Sequence, residues 1–404
     1  MMSITLSCYI SKVNNYLINT QLVVIITRER IYNLFMKQHK KPKWLKYSYW
    51  KRKITNFILE LLFFRKKDLA FCIKNSDKSV LVTSMDGLGD TFLRLPILKI
   101  MQKKYKKVWV LSKSISLPIY NTCGFSVIEY NDNMSTNIFK RYRLIKKLNA
   151  LPIEKVYAGE FYRNNNLVKY LKGQRIGFAN PRNSKQDGDL DVILPSANHT
   201  DDLLLNFAQA ITNDFVDVTD NRLHLPRHIQ TMDKNEVVWA LGAQDKIRMM
   251  RVSNLVQLIE CILNIDSDCS LVLVGAGKKE QQYASKIMDM LKNNLDNKFL
   301  ERIIVKIDCY SLLELVQLIY QSKILIGFDS GLYNLSYTLH QPTLCLAAEN
   351  ERVLHRKASW VRIVKNENGC EYGVDDGYGC TITNSVSLDD FSQAYQELCL
   401  MLHS

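Results

Sequence analysis

The sequence contains no apolar run long enough to cross a membrane. Its longest apolar stretches, residues 22–26 and 57–64, fall well short of the roughly 20 residues that a spanning helix needs. Glycine and proline are also scarce, with 16 and 8 copies among 404 residues, and this scarcity excludes a collagen-like or low-complexity chain. With 47% apolar and 23% charged residues, the composition is typical of a soluble globular protein of about two domains.

Cysteine motifs and targeting signals are likewise missing. The ten cysteines are scattered, with no CxxC pair and no zinc-type spacing. The N-terminus lacks a signal peptide's order of basic stretch, apolar core and small-residue cleavage site. We therefore expect free thiols in a cytosolic chain.

What the sequence does have is a strongly basic N-terminal segment. The net charge is +14, and residues 1–75 contain 15 Lys or Arg against three acidic residues, so the remaining chain is close to neutral. This segment is rich in Tyr, Phe and Trp and contains no glycine. A basic appendage on a near-neutral body is typical of a protein that meets an anionic surface, either lipid or nucleic acid.

From about residue 79 onward, short apolar runs alternate with helical stretches. We predict strands at 80–84, 108–111, 126–130, 155–158, 175–178, 236–241, 270–275, 302–307, 323–328 and 343–347. We predict helices at 90–105, 253–263, 279–295, 311–321, 331–339 and 388–402. Strands separated by helices form parallel sheets that are covered on both faces.

This alternation predicts an α/β fold in two successive units. We expect a basic helical extension over residues 1–75, an N-terminal Rossmann-like domain over 76–230 and a C-terminal one over 231–404. A polar stretch at 221–234, around Pro226, is the predicted hinge. Two such domains face each other across a central cleft, where a ligand lies against the carboxyl ends of the strands.

The first candidate site follows the first predicted strand, where residues 84–90 read SMDGLGD. Gly87 and Gly89 permit a sharp turn and the close approach of a ligand. Asp90 is expected at the start of a helix, either as an N-cap or as a reactive group facing the cleft. Asp86 is interpreted as a turn residue. The dinucleotide motif GxGxxG is absent, which argues against a nicotinamide dehydrogenase.

Two further candidate sites lie in the second unit. Residues 326–334, IGFDSGLYN, connect a strand to a helix whose first N–H groups, at Ser330 and Gly331, suit a diphosphate; Asp329 or Ser330 as a simple N-cap is the alternative. Residues 242–251, GAQDKIRMMR, place Lys246 and Arg248 in a loop after a strand. Arginine suits bidentate phosphate contacts, and a solvated basic loop is the alternative reading.

The order of these motifs resembles glycosyltransferase family 9, the heptosyltransferases of bacterial lipopolysaccharide assembly. Residues 80–96 resemble the family's first motif, a strand followed by Asp-Gly-x-Gly-Asp and an apolar helix with a proline. Residues 325–342 resemble its C-terminal motif, a strand followed by Asp-Ser/Thr-Gly-x-x-His and a helix that ends before a proline. Residues 175–178, His199 with the helix after it, and 270–277 resemble further landmarks, so the resemblance spans about residues 79–404.

The resemblance implies a GT-B fold and inverting sugar transfer from a nucleotide-sugar donor, expected to be ADP-heptose, without a metal or other cofactor. It implies that Asp90 is the catalytic base and that the turn of Asp86, Gly87 and Gly89 lies on the acceptor side. The residues that it implies for donor binding are Arg248, Lys246, Asp329, Ser330, Gly331 and Asn334.

Three features of the sequence depart from the family pattern. Arg248 aligns with the family's phosphate-binding Lys, and Met249 follows it where the family has an aromatic residue. Asn334 stands where the family usually has His, and an amide cannot carry a positive charge. Some relatives bind iron through clustered cysteines, whereas Cys370 and Cys380 lack the CxxC pattern.

Other functions are compatible with the same residues. A GT-B enzyme of another kind, such as a nucleotide-sugar epimerase or a transferase of a different sugar, is one. A catalytically silent transferase is another, although Asp90 and Arg248 are retained. A nucleotide-binding protein that grips nucleic acid through its basic segment is the third. The near-neutral body and the lack of any nucleic-acid motif argue against that third reading.

Residues 36–75 are predicted to dock on an anionic membrane surface. A mostly apolar helix at 54–64 is bracketed by the basic triplets 51–53 and 65–67, and the preceding residues supply interface-seeking aromatics. We therefore expect a peripheral enzyme at the inner face of the bacterial inner membrane, acting on a lipid-linked glycan. The alternative is that this helix packs on the first domain while its cations face water, and the two arrangements are compatible.

Overall fold

The computed structural model describes most of the chain from residue 79 onward. The described residues are 58–59, 79–131, 137–159, 167–179, 189–195, 200–212, 235–243, 248–347, 358–365 and 386–402. From Leu59 to Ser404 they belong to one compact unit, which holds two separate six-stranded sheets.

The first sheet is parallel throughout, with strand order β3-β2-β1-β4-β5-β6. All six residues of its central strand β1 are buried, as expected for a parallel strand covered on both faces. Its strands are β1 (Ser79–Ser84), β2 (Lys107–Lys113), β3 (Ser126–Tyr130), β4 (Lys155–Ala158), β5 (Gln174–Phe178) and β6 (Val192–Leu194).

The second sheet is also parallel, with strand order β12-β11-β10-β7-β8-β9. Its strand β10 is fully buried and lies beside β7 at the centre. Its strands are β7 (Glu236–Ala240), β8 (Ser270–Gly275), β9 (Ile303–Ile307), β10 (Ile324–Phe328), β11 (Thr343–Leu346) and β12 (Val361–Val364).

Helices connect the strands and cover both sheets. In the first half they are α1 (Leu88–Lys104), α2 (Leu117–Thr122), α3 (Ile138–Asn149) and α4 (Thr200–Thr212). In the second half they are α5 (Val252–Ile265), α6 (Gly277–Asn294), α7 (Asn297–Leu300), α8 (Leu312–Gln321), α9 (Gly331–Thr338) and α10 (Leu388–Met401).

Both sheets have the same topology. When each sheet is counted from its own first strand, the order is 3-2-1-4-5-6, which is the doubly wound arrangement. The strand order reverses between β1 and β4 in the first sheet and between β7 and β10 in the second. Ligands of such sheets bind at the carboxyl ends of the strands at this switch point, so the loops after these four strands are the places to look for a site.

The hydrophobic core extends through both sheets. One buried cluster contains residues of both, including Val82 in β1 and Val238 in β7, and the helices α1 and α9 pack against each other. A second cluster fills the space under α3, and fully buried Leu59 belongs to it together with Leu81 and Ile145. Leu59 therefore packs on the first sheet. At this one residue, the contact agrees with the alternative interpretation, in which the 54–64 helix packs on the first domain.

The ten predicted strands and six predicted helices are confirmed, each to within two residues at either end. One of these small shifts matters for the site. Helix α1 begins at Leu88 and has Gly87 as its N-cap, so Asp90 lies inside the first turn and the predicted N-cap position of Asp90 is wrong. The strands β6 and β12 were missed because edge strands of three or four residues give too short a hydrophobic pattern.

Several predictions fall outside the described residues. They concern the extension apart from residues 58 and 59, the hinge at 221–234, His199, Lys246, Cys370 and Cys380. The domain limits at 75 and 230 therefore stay predictions. Among the helices that the structure describes, none is both long and apolar enough to cross a membrane.

Candidate active site

The loop after β1 carries a carboxylate that is bound to the start of a helix. Asp90 is the third residue of α1, and its Oδ2 accepts a hydrogen bond of 3.3 Å from the backbone N–H of Gly87. This contact satisfies one of the N–H groups that a helix start leaves unpaired. The capping role and a chemical role are compatible, because a carboxylate has two oxygens and several lone pairs.

A buried arginine organises the base of this loop. Arg94 is fully buried, and its Nη2 donates to Asp86 Oδ2 over 2.6 Å. Its Nε donates to the carbonyl of Gly159 over 2.9 Å, and its Nη1 donates to Ser84 Oγ. Ser84 ends β1 and Gly159 follows β4, so Arg94 ties together the two strands at the switch point of the first sheet.

Asp86 is therefore an anchor of the turn. Its Oδ2 is held by Arg94, and its Oδ1 is buried with no hydrogen-bond partner among the described residues. A buried guanidinium opposite a carboxylate fixes the geometry of both groups because separating them would leave a charge unpaired. This placement agrees with the interpretation of Asp86 as a turn residue.

The surroundings of Asp90 make it a weak acid that still ionises near neutral pH. Burial raises the pKa of Asp90 to about 6, and the negative charge of Asp86 adds to the increase. Arg94 and the N–H of Gly87 act in the opposite direction, and the charge of Asp329 raises the pKa a little further. A carboxylate whose pKa is shifted toward neutral pH is typical of a general base or acid.

The loop after β10 presents a helix start with an arginine beside it. Arg248, which follows β7, donates from Nη1 to Asp329 Oδ2 over 2.9 Å. Of the two N-caps that the sequence offered for α9, Ser330 holds the position and Asp329 does not; Asp329 is paired with Arg248 instead. Ser330 makes no side-chain capping bond, and its buried Oγ has no hydrogen-bond partner within the described ranges.

The two loops touch at glycines. A Cβ on Gly89 would lie 2.6 Å from Asn334 Nδ2 and 3.3 Å from the Cα of Gly331. A Cβ on Gly331 would lie 3.4 Å from the backbone nitrogen of Gly89. A side chain at Gly89 would require Asn334 to shift, whereas a Cβ at Gly331 would make only ordinary van der Waals contacts, so the close approach of α1 and α9 depends mainly on Gly89. Asn334, predicted as a donor-binding residue, packs against Gly89 of the first sheet's loop.

These contacts bring most of the predicted site residues together. The starts of α1 and α9 carry partial positive charge, and both lie where the two switch points meet. Arg248 and Ser330 lie in loops of the second sheet, and Asp90 lies in the first turn of α1, after β1 of the first sheet. Lys246 lies outside the described residues.

Two groups at the site escaped the sequence analysis. Arg94 follows Asp90 by one helical turn, and that spacing within an apolar helix was the available signal. Glu280, in the first turn and a half of α6, accepts a 2.7 Å hydrogen bond from the N–H of Ala276 and lies against Gly242 after β7. Burial raises the pKa of Glu280 although the Ala276 N–H lowers it. Its carboxylate is an acceptor suited to hydroxyl groups.

Two doubly wound sheets whose switch points face each other define a two-domain α/β architecture, the GT-B fold. Neither a protein-family model nor a curated protein sequence matches the chain. Solved structures do match it, and three of them have TM-scores above 0.6.

These three similar structures are glycosyltransferases. ADP-heptose lipopolysaccharide heptosyltransferase II of Escherichia coli is 15% identical with a TM-score of 0.63, covering 81% of this chain and 100% of its own. A family 9 glycosyltransferase from Veillonella parvula is 14% identical with a TM-score of 0.62, covering 81% and 99%. The E. coli heptosyltransferase WaaC with ADP-2-deoxy-2-fluoro heptose is 13% identical with a TM-score of 0.61, covering 79% and 99%.

At these identities the likeness is one of fold. The predicted GT-B fold is confirmed, and the chain resembles family 9 heptosyltransferases over nearly the whole length of those proteins. The chemistry of this chain must be argued from its own site residues.

Proposed function

We propose that this protein is an inverting glycosyltransferase that takes a sugar from a nucleotide-sugar donor. The observation that carries the proposal is the contact between the two switch-point loops. This contact places Asp90, a carboxylate whose pKa is shifted toward neutral pH, close to the start of α9, which Arg248 flanks. Transfer of a sugar needs a base on one side of the anomeric carbon and a diphosphate site on the other.

In the proposed reaction, an acceptor hydroxyl attacks the anomeric carbon of the donor sugar and Asp90 takes the hydroxyl proton. The bond between the anomeric carbon and the diphosphate oxygen breaks, and the nucleoside diphosphate leaves with the electron pair. A positioned base of this kind contributes roughly 10²- to 10⁴-fold to the rate. Arg94 acts indirectly, as a positioning residue that holds the turn carrying Asp90.

The departing diphosphate gains negative charge and needs fixed donors. Arg248 has five N–H donors, and its bond to Asp329 engages one Nη atom, so capacity for phosphate oxygens remains. The N–H groups at the start of α9 and the buried hydroxyl of Ser330 supply neutral donors. These groups support transfer without a metal. Across the described part of the chain, no cluster of three or more His, Cys, Asp or Glu is arranged as a metal site.

The donor that we propose is ADP-heptose, and the acceptor is a lipid-linked lipopolysaccharide or related surface glycan. Similar structures hold ADP and ADP-2-deoxy-2-fluoro heptose, which supports this donor class. Asn334 is compatible with a second nucleotide-sugar donor, because an amide in place of a charged His changes what the start of α9 recognises. A different nucleotide sugar is therefore the second candidate.

The test is a donor screen with the full-length protein. Thermal shift and nucleotide release are measured against ADP-heptose, ADP-glucose, GDP-mannose, UDP-glucose and UDP-N-acetylglucosamine. We expect one nucleotide to raise Tm and its diphosphate to be released when an acceptor extract is added. Stabilisation without release would favour a non-catalytic nucleotide-binding protein, and conversion of the sugar without release would favour an epimerase.

A further inference from the structure

Helix α3 differs from every other described helix in its charge. Its 12 residues include five cations and no acidic residue. Its inner face is apolar and packs on the first sheet through Leu144, Ile145 and Leu148. Arg141 also points inward, where it is nearly buried and lies over the ring of Tyr170. The other four cations lie on the opposite side.

We call that side the α3 outer face. It consists of Phe139, Lys140, Tyr142, Arg143, Lys146 and Lys147, all of which are exposed. Phe139 leaves 63% of its surface in water, and Tyr142 leaves 36%. Among the described residues, none of the four outer cations has an acidic partner within 4.0 Å.

Helix stability does not account for this pattern. Cations in the last turn, Lys146 and Lys147, do interact favourably with the helix dipole. Lys140 lies in the first turn, where a cation is unfavourable, and Arg143 and Lys147 form a like-charged pair four residues apart. An exposed aromatic ring beside uncompensated cations is the composition that binds the interface of an anionic bilayer.

We propose that the α3 outer face docks on a bilayer surface that contains anionic phospholipids. This inference rests on the lipid-linked acceptor of the proposed function, and it extends the membrane docking predicted for residues 36–75 to a described helix outside them. Phe139 and Tyr142 would enter the headgroup region, while the four cations meet lipid phosphates. Each cation near such a surface strengthens binding by about fivefold, so the set is sufficient for reversible attachment.

The position of Leu59 supports a shared surface with the basic segment. Leu59 is fully buried in the same cluster as Leu144 and Ile145 of α3. In the sequence it lies six residues after the triplet 51–53 and six residues before the triplet 65–67. Leu59 itself lies on the side of the first sheet that α3 covers.

The direction of α3 also relates this surface to the candidate active site. The chain leaves β3 at the carboxyl edge of the sheet and enters α3 at Ile138, one residue before Phe139, before returning to β4. Because all strands are parallel, this is the edge that carries the loop of Asp90. The aromatic end of α3 is therefore at the same edge as the site, an arrangement that suits an acceptor held in a membrane.

The experiment is vesicle flotation of the full-length protein at several salt concentrations. The vesicles contain phosphatidylcholine with or without one quarter phosphatidylglycerol. In the test variant, Lys140, Arg143, Lys146 and Lys147 are all replaced by Gln, and we expect binding to anionic vesicles to fall at least about tenfold. The matched control replaces four exposed lysines of α6, Lys278, Lys279, Lys286 and Lys292, by Gln, and we expect less than about twofold loss.

A second variant separates lipid insertion from charge. Phe139→Ser keeps every cation and removes the exposed ring, and we expect a threefold or larger loss of binding that persists at high salt, where charge contacts are screened. Both α3 variants change exposed residues, so far-UV circular dichroism and Tm should match the unmodified protein. Nucleotide binding should also be retained, which keeps this test independent of the donor site.

Three results would overturn the inference. Equal losses in the α3 and α6 variants would show that only net charge matters. Full vesicle binding by the α3 variant would assign the attachment to residues 36–75 alone. Tighter binding of the unmodified protein to duplex DNA than to anionic vesicles, lost in the α3 variant, would identify the face as a nucleic-acid surface.

Discussion

The loops at the two switch points share a topology and differ in chemistry. The loop after β1 is built around an arginine with no exposed surface, which bonds to two strands and a carboxylate. At the switch point of the second sheet, Asp329 in the loop after β10 pairs with Arg248 in the loop after β7, and 37% of the Arg248 side chain is exposed. Each switch point has an Arg–Asp pair. The two aspartates are similarly exposed, 18% for Asp86 and 16% for Asp329, so the pairs differ in the exposure of the arginine.

The difference shows that the fold does not determine what each loop does. The buried pair holds the turn that carries Asp90. Burial of Asp90 itself raises its pKa, the charge of Asp86 adds to the increase, and Arg94 opposes it. An exposed pair can exchange its partner, because little desolvation opposes the approach of a phosphate. One loop is thus suited to proton transfer and the other to binding an anion that arrives and leaves.

The largest expected effect is on stability. Arg94→Ala leaves Asp86 buried without its partner and should lower the free energy of unfolding by about 3–5 kcal/mol. Arg248→Ala breaks the exposed pair and should cost less than about 1 kcal/mol. Urea unfolding of both variants measures the contrast. If the two variants lose equal stability, the distinction between an enclosed and an exposed pair is wrong.

The next effect is on turnover. Asp90→Asn should keep the fold and donor binding and lower nucleotide release by at least about 10²-fold, because an amide cannot accept the proton. Asp289→Asn, which changes an exposed aspartate of α6, is the control and should leave turnover unchanged. Near-normal turnover in Asp90→Asn would remove Asp90 from the chemistry and leave it as a helix cap.

The third effect is on binding at the other loop. Arg248→Ala should weaken binding of the nucleoside diphosphate by about 1.5–3 kcal/mol, which is roughly 10- to 150-fold. Lys292→Ala removes an exposed charge from α6 and should leave the affinity unchanged. Calorimetry gives both values. An unchanged affinity in Arg248→Ala would mean that the ion pair with Asp329 is permanent and that other groups hold the phosphates.

The sequence was sufficient for the strands because buried parallel strands are continuous apolar runs such as Val80 to Val82. The positions of the loops follow from the strands, whereas the chemical roles of their Gly and Asp residues stay predictions. Arg94 was missed because an arginine in a helix usually faces water, and its partner Gly159 is 65 residues away. Asn334 contacts Gly89 between the two sheets, and a contact between residues so far apart in the chain produces no local pattern in the sequence.

The smallest expected effect is a change of turnover rate with pH. It tests the loop of Asp90 separately from the loop that binds the nucleoside diphosphate. The pKa of Asp90 is raised to about 6, and the base is active only when deprotonated. Turnover should therefore be constant above pH 7 and fall as the pH drops through 6, reaching about one tenth of the plateau at pH 5.

Asp86→Asn sharpens this test because it removes the nearby charge that helps to raise the pKa of Asp90. The acid limb should then move to lower pH, while the affinity for nucleoside diphosphate, set by the other loop, should not change. The measurement is initial rate from pH 4.5 to 8.5 beside calorimetry at each pH. A limb that stays near 6 in Asp86→Asn would contradict the electrostatic coupling of the two carboxylates. In that case burial alone would account for the raised pKa, because burial is the larger of the two causes.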